Sequence, residues 1–377
     1  MHKTYRITQK DFKKQYNGIT LLNPGRYEFA EDITFKSDRD NMAAITIRSC
    51  NVTLSLKSHT LRHVGSGRNN YGIVVYRDVN DVKITGDKGI ATIIDFTSAN
   101  IRAFGRINNL TIKNIISTQS CPRQLTNNVI PKSMKKIENL QMNGGIIIGE
   151  GDFYATYMQN TNGKNIVKNI TLKNLEISNA IIGCQIVSAN KISVSGCKVT
   201  RNSFYGMLMG NVLPSNVFPI VKNICVENSV FSANQSVIDD RLSNPVNTYL
   251  FETLSVVAYN NAKNVRTANS FIENNEATFT INGASHINSE NILWECCHFI
   301  GNCGKNIHMS KCCGIKFRGV SRDIKIIDCR ISETSGAYAC GFEVIGAKLV
   351  IARNLIVRET NGRKSSKCIT ISSSERK

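Results

Sequence analysis

The chain has 377 residues, 41% of them hydrophobic, and its 47 Lys and Arg outweigh 28 Asp and Glu for a formal charge of +19. No apolar run reaches the length of a bilayer-spanning helix, and the polar start "MHKTYRITQKDFKKQ" has no apolar core of a secretory leader, which argues against a signal peptide. The 13 cysteines, an odd number, then read as reduced thiols of a cytoplasmic compartment, and the cation excess points to polyanionic partners.

From Thr8, "TQKDFKKQYN" predicts a short helix. Thr8 is an N-cap residue, Asp11 fits the first turn, and Phe12 and Tyr16 share a face at i, i+4 spacing. This helix belongs to an expected N-terminal cap over residues 1–30, ahead of a repetitive body over 31–377. In that body one short unit recurs: Asn or Asp, an apolar residue, any, apolar, any, small or polar, small, any, apolar. Copies begin at Asn51, Asp81, Asn109, Asn169, Lys191, Asn223, Asn264, Asn291, Asp323 and Lys348. Intervals run from 22 residues (Asn169 to Lys191) to 60 (Asn109 to Asn169), the range of solenoids and arrays.

Within a copy the apolar residues alternate with period two, as strands require. A second strand-like run precedes most copies, for example "GIVVY" from Gly72 and "GMLMG" from Gly206. Each repeat therefore reads as one coil of a parallel solenoid. Asn114, Asn174, Asn228 and Asn269 share one repeat position and form a candidate asparagine ladder. The next position is small (Cys197, Ser229, Ser270, Cys297, Cys329), as an inward-pointing turn residue must be.

Two interruptions fall near 118–163 and 235–250. The first holds "CPRQLTNNVIPKSMKKIENL" from Cys121, where Arg123, Lys132, Lys135 and Lys136 are candidate polyanion-binding residues. It also leaves room for one irregular coil at Gly145 to Gly149. The second holds Asp239, Asp240 and Arg241, the best catalytic candidates in the chain. Further on, "CCHFIGNCGKNIHMSKCC" packs five cysteines and two histidines into one stretch. Cys296, Cys303, Cys312 and His308 are its weak metal candidates, because the C-x2-C knuckles that fold a chain around zinc are absent. No metal and no cofactor is expected.

The stretch Leu54-Ser55-Leu56-Lys57-Ser58-His59-Thr60-Leu61 resembles the "L-D-L-N-G-H-T-L" first coil of right-handed parallel β-helix proteins of the pectate-lyase-like superfamily. "NPGRYEFAEDITF" from Asn23 is similar to the "P-G-x-Y-x-L" segment that often precedes that coil. The resemblance implies an all-β fold: a single-stranded right-handed parallel β-helix of about ten coils with a short N-terminal capping helix. It leaves activity open, since that fold hosts lyases, hydrolases, epimerases, adhesins and viral fibres.

The catalytic patterns of those enzymes are incomplete here. Asp239-Asp240 has no accompanying Gly-His-Gly or Arg-Ile-Lys, and Val237-Ile238-Asp239-Asp240 lacks the Trp and His of a lyase signature. The sequence thus favours a non-enzymatic structural or surface-interaction protein. The alternative is a polysaccharide lyase, glycoside hydrolase or epimerase acting on an acidic glycan. A Lys/Asn/Ile bias with abundant cysteine is similar to proteins of large DNA viruses, which implies a virion component, a minor capsid or fibre protein. Expected partners are protein neighbours in an assembly or an anionic glycan, with nonspecific nucleic-acid contact and a homo-oligomer as further options. The expected location is cytoplasmic or virion.

Overall fold

The computed structural model describes residues 3–13, 18–87, 89–120, 144–149, 166–210, 221–236, 255–277, 280–306, 308 and 310–372. Among these residues the chain is nearly all strand, with one helix, Gln9–Lys13, and all strand pairing is parallel. This is a parallel β-helix. No helix among the described residues is long and apolar enough to cross a membrane. The chain divides into two compact units, Met1–Cys197 and Lys198–Lys377.

In the first unit, one sheet stacks Gly25–Phe29, Val52–Ser55, Val79–Thr85, Ile107–Thr118, Val167–Ser178 and Ala189–Ser195. Its register sets like on like. Val52, Val82, Leu110, Ile170 and Ile192 align, as do Leu54, Ile84, Ile112, Leu172 and Val194. All ten are buried, each removal from water being worth roughly 1.5–3 kcal/mol. A second sheet stacks Ile19–Leu21, Ala43–Ile47, Tyr71–Val75, Ala99–Ala103, Gly144–Ile148 and Ile182–Ile186, with Ile45, Ile73, Ile101, Ile146 and Cys184 in one inward row. The strand Gly144–Ile148 supplies a coil position within the first interruption. At the N-terminal end, the Asp11 carboxylate accepts from the backbone N–H (2.8 Å) and hydroxyl (3.0 Å) of Thr8, which fixes the first turn of the helix. Phe12 is buried edge-on against Phe35. Tyr16 lies outside the described residues.

In the second unit the strands Val221–Glu227, Ala262–Ala268, Glu290–Glu295, Arg322–Ile327 and Lys348–Arg353 stack, aligning Ile224, Val265, Ile292, Ile324 and Val350. The other long sheet runs through Tyr205–Met209, Ser255–Asn260, Thr280–Ile287, Lys311–Arg318, Ser335–Ile345 and Asn361–Ser372. Inside it Tyr259, His286 and Phe317 stack at ring distances of 4.8 Å on either side of the imidazole. The indole N–H of Trp294 donates to His286 Nε2 at 2.7 Å.

The corners of the coils are left-handed backbone. Asn51, Asp81, Asn109, Asn169, Lys191, Asn223, Asn264, Asn291 and Asp323, nine of the ten repeat starts, all have φ between 54° and 60°. Asparagine and aspartate tolerate that conformation because their short polar side chains bond locally. The side chains also link coils within each unit: Asn109 donates to Asp81, Asn169 to Asn109, Asn264 to Asn223 and Asn291 to Asn264. The tenth start is corrected by the register. Asp323 aligns with Leu349, not Lys348, because Arg322 pairs with Lys348 and Ile324 with Val350. Leu349 thus holds φ 54° without a polar side chain and is 72% exposed. Substituting Leu349→Asn is expected to raise stability by about 1 kcal/mol, measured as a higher denaturant midpoint; a midpoint at or below the parent's would contradict the assignment.

Burial holds His286 neutral, with a pKa lowered to about 3. An unfolded histidine takes a proton near 6.5, so between those values the unfolded chain binds a proton that the folded chain does not. Stability is therefore fully present above about 6.5 and falls as pH drops towards 3. Trp294, the one tryptophan of the chain, reports this unfolding by its fluorescence. In His286→Gln the melting temperature is expected to be lower at pH 7 yet to fall less between pH 7 and pH 5 than in the parent.

Candidate anion-binding face

The outer side of the first unit's second sheet carries the most developed constellation of functional groups among the described residues. Period-two alternation buries Ile45, Ile73 and Ile101 and puts Thr46 and Arg102, both partly exposed, on the opposite side, with the buried Val74 between them. The ladder then runs one residue beyond the strands. Tyr76 N–H donates to Ile47 O at 2.9 Å, and Phe104 N–H to Val75 O at 3.2 Å. Arg48, Tyr76 and Phe104 therefore stand in consecutive coils, side by side on the surface.

These side chains interleave. The Arg48 guanidinium lies 4.3 Å from the centroid of the Tyr76 ring, and Arg77 approaches the same ring at 5.7 Å. Tyr76 meets Phe104 edge-to-face at 4.9 Å. Arg102 sits 5.4 Å from Phe104 and 5.0 Å from Tyr71, to whose hydroxyl it donates at 2.6 Å. Gly105, at φ 81°, makes room for Arg77: a Cβ there would stand 2.4 Å from the Arg77 Cβ. Arg48 and Arg77 are exposed and, among the described residues, paired to no carboxylate. The ring faces offer flat apolar surface, and the guanidinium forks offer paired donors that match carboxylate or sulfate.

Four carboxylates elsewhere on the described surface are held by donors. Lys57 (2.8 Å) and Arg26 (2.5 Å) hold Glu28 below the usual carboxylate range. Lys263 and Arg322, both at 2.9 Å, do the same to Glu290, and the backbone N–H and hydroxyl of Ser66 to Asp38. Burial pushes Asp87 up, but hydrogen bonds from Arg26 and Thr85 outweigh it and leave the group lowered. A glycosidic general acid needs the opposite shift.

Asp239, Asp240, Arg241, Arg123, Lys132, Lys135 and Lys136 lie outside the described residues. The asparagine positions singled out in the repeat are surface corners. Asn174 Nδ2 donates to Asn114 Oδ1 at 3.3 Å, and Asn114 Nδ2 to Gly86 O at 3.5 Å. In the second unit, Asn228 and Asn269, with φ 50° and 48°, donate their backbone N–H groups to Ala268 O and Glu295 O of the next coil. A buried amide ladder runs elsewhere. Asn202 Nδ2 donates to Asn234 Oδ1 (2.9 Å), Asn234 to Asn275 (3.1 Å) and Asn275 to Asn302 (2.9 Å). Its signal is an offset: Asn234, Asn275 and Asn302 each follow a corner, at Asn228, Asn269 and Cys296, by the same six residues.

The metal candidates are spread over different environments. Cys296 is an exposed corner, His308 is exposed, Cys303 is half-buried and Cys312 is buried, its thiol donating to Asn302 O at 3.0 Å. Among the described residues no three His, Cys, Asp or Glu side chains gather as a metal-holding group. Burial pushes the Cys184, Cys197 and Cys312 thiols up, as small hydrophobic fillers rather than thiolates. The described cysteines form no disulfide, and Cys296 and Cys368 are the exposed ones. Native thiol labelling is expected to modify those two rapidly and the buried ones only on unfolding; rapid native labelling of Cys184 or Cys312 would contradict this burial.

No protein-family profile and no curated protein sequence matches the chain. Among solved structures, the A-module of mannuronan C-5 epimerase AlgE4 of Azotobacter vinelandii superposes with a TM-score of 0.54 at 11% identity, over 98% of this chain and 89% of that one. The AlgE6 A-module of the same organism gives 0.45 at 10% identity, over 100% and 90%. PfbA, a surface adhesin of Streptococcus pneumoniae, gives 0.39 at 10%, over 98% and 84%. At such identity the likeness is one of fold, and the fold it shows is the parallel β-helix.

Proposed function

We propose that the protein is a non-enzymatic surface-interaction scaffold that binds an acidic glycan on the face built from Arg48, Tyr71, Tyr76, Arg77, Arg102 and Phe104. The observation that carries this reading is the interleaving of guanidinium groups and aromatic rings across three consecutive coils. A sugar ring stacks its C–H face on Tyr76 or Phe104, and its carboxylate or sulfate meets Arg48 or Arg77. Such a scaffold suits a virion or another assembly. Arg123, Lys132, Lys135 and Lys136 add long-range attraction to the same class of ligand.

The test is direct binding of heparin and polygalacturonate fragments, with neutral dextran as control. Binding is expected to weaken steeply with salt. The pair Arg48→Gln and Arg77→Gln, and separately Tyr76→Ala, should each lose about tenfold or more in affinity with little change in melting temperature. Equal affinity for dextran, or unchanged binding in all variants, would overturn the reading. Release of reducing ends or unsaturated uronate by the parent, abolished in Asp239→Asn or Asp240→Asn, would replace it with the enzymatic one.

A further inference from the structure

Two cysteines of the second unit face each other across one step of its long sheet. Cys313 lies on Lys311–Arg318 and Cys340 on Ser335–Ile345, and the register pairs them directly. Both strands sit inside the stack: Thr280–Ile287 flanks the first and Asn361–Ser372 the second. Parallel partners stand about 4.8 Å apart, inside the roughly 4.4–6.8 Å that a disulfide spans between Cα atoms. Each sulfur has polar neighbours. Cys313 Sγ lies 3.1 Å from Ile315 O, and Cys340 Sγ lies 3.3 Å from Phe342 O and 3.5 Å from Thr370 Oγ1. Three residues on, the same register pairs the buried Lys316 with Glu343, their ion pair closing at 2.8 Å. This ladder of bonded neighbours fixes the two sulfurs opposite one another.

The two thiols are not equivalent. Cys313 is 3% exposed, and burial pushes it well up. Cys340 is half-buried, and a hydrogen bond from the Cys313 thiol, with another from the Thr370 hydroxyl, draws it down against that burial. Cys340 is therefore the readier nucleophile, with Cys313 waiting behind it. Cys297 and Cys329 also meet across one coil step, but at 0% and 1% exposure both are closed to reagents.

We propose that Cys313 and Cys340 are a peroxide-sensitive pair that closes to a disulfide between consecutive coils. The Cys340 thiolate attacks one oxygen of the peroxide and the O–O bond breaks. The other oxygen leaves as hydroxide and takes up the proton that Cys340 released, giving water. Cys340 is then a sulfenic acid. The Cys313 sulfur attacks the Cys340 sulfur, the S–S bond forms, and the S–O bond breaks as a second water departs with the Cys313 proton. Two thiols and one peroxide give one disulfide and two waters, each sulfur having lost one electron. The test treats the reduced, intact chain with hydrogen peroxide, alkylates the remaining thiols and maps disulfides by mass spectrometry. A Cys313–Cys340 bond is expected, reversed by dithiothreitol and formed about tenfold or more faster than any Cys297–Cys329 bond. In Cys313→Ser, dimedone should trap the stranded sulfenic acid on Cys340; in Cys340→Ser, Cys313 should stay unlabelled. Absence of a Cys313–Cys340 bond in the oxidised parent would overturn the proposal. So would a Cys297–Cys329 bond forming at an equal rate, or dimedone labelling Cys313 in Cys340→Ser as fast as it labels Cys340 in Cys313→Ser.

Discussion

Parallel stacking makes every residue the neighbour of its counterparts one coil before and one coil after, about 4.8 Å away. The rest of the structure depends on this constraint. An inward isoleucine meets another apolar residue, as Ile112 meets Ile84 and Leu172. A corner meets a corner, so an asparagine that tolerates left-handed backbone also finds a bonding partner at that spacing, as Asn264 does between Asn223 and Asn291. One residue type thus meets a conformational demand and a pairing demand at once, and the chain repeats because neither demand changes from coil to coil.

The same spacing governs the outer surface, where nothing forces like onto like. Arg48, Tyr76 and Phe104 occupy one outward column, and stacking at strand distance puts a guanidinium against a ring and a ring against a ring. The scaffold supplies the alignment and Gly105 the clearance; the ligand chemistry belongs to residues outside the repeated unit. On the first unit's other sheet, Arg26 pairs with Glu28 and Asp87, and Lys57 with Glu28.

Much of the coil pattern was legible because backbone geometry and hydrophobicity impose it at short range. Nine corner positions follow from an Asn, Asp or Lys ahead of alternating apolar residues. The tenth was misread by one because Leu349 occupies the corner without the usual polar side chain, while Lys348 beside it imitates Lys191. Asparagine is ambiguous for a physical reason: it serves exposed left-handed corners such as Asn228 and buried amide contacts such as Asn234, and composition alone does not distinguish them. The arginine and aromatic face escaped because it takes one residue per coil, Arg48, Tyr76 and Phe104, and shows in the sequence only as a constant spacing of 28. The basic stretch around Lys135 and the Asp239-Asp240 pair drew attention through local density, which speaks to charge and not to placement.

The buried amides from Asn202 to Asn302 have a direction. Each NH2 points towards the next coil and each oxygen accepts from the coil before, so the side-chain dipoles add along the stack instead of cancelling. Asn234, Asn275 and Asn302 each also donate back to a backbone carbonyl, at Val199, Phe231 and Ile272, and the amide-to-amide series stops at Asn302 because the corresponding residue of the next coil is Thr334, which has no amide. Opening the coils from Asn202 to Asn302 breaks linked amide bonds as well as the strand ladder, so these coils are expected to open together.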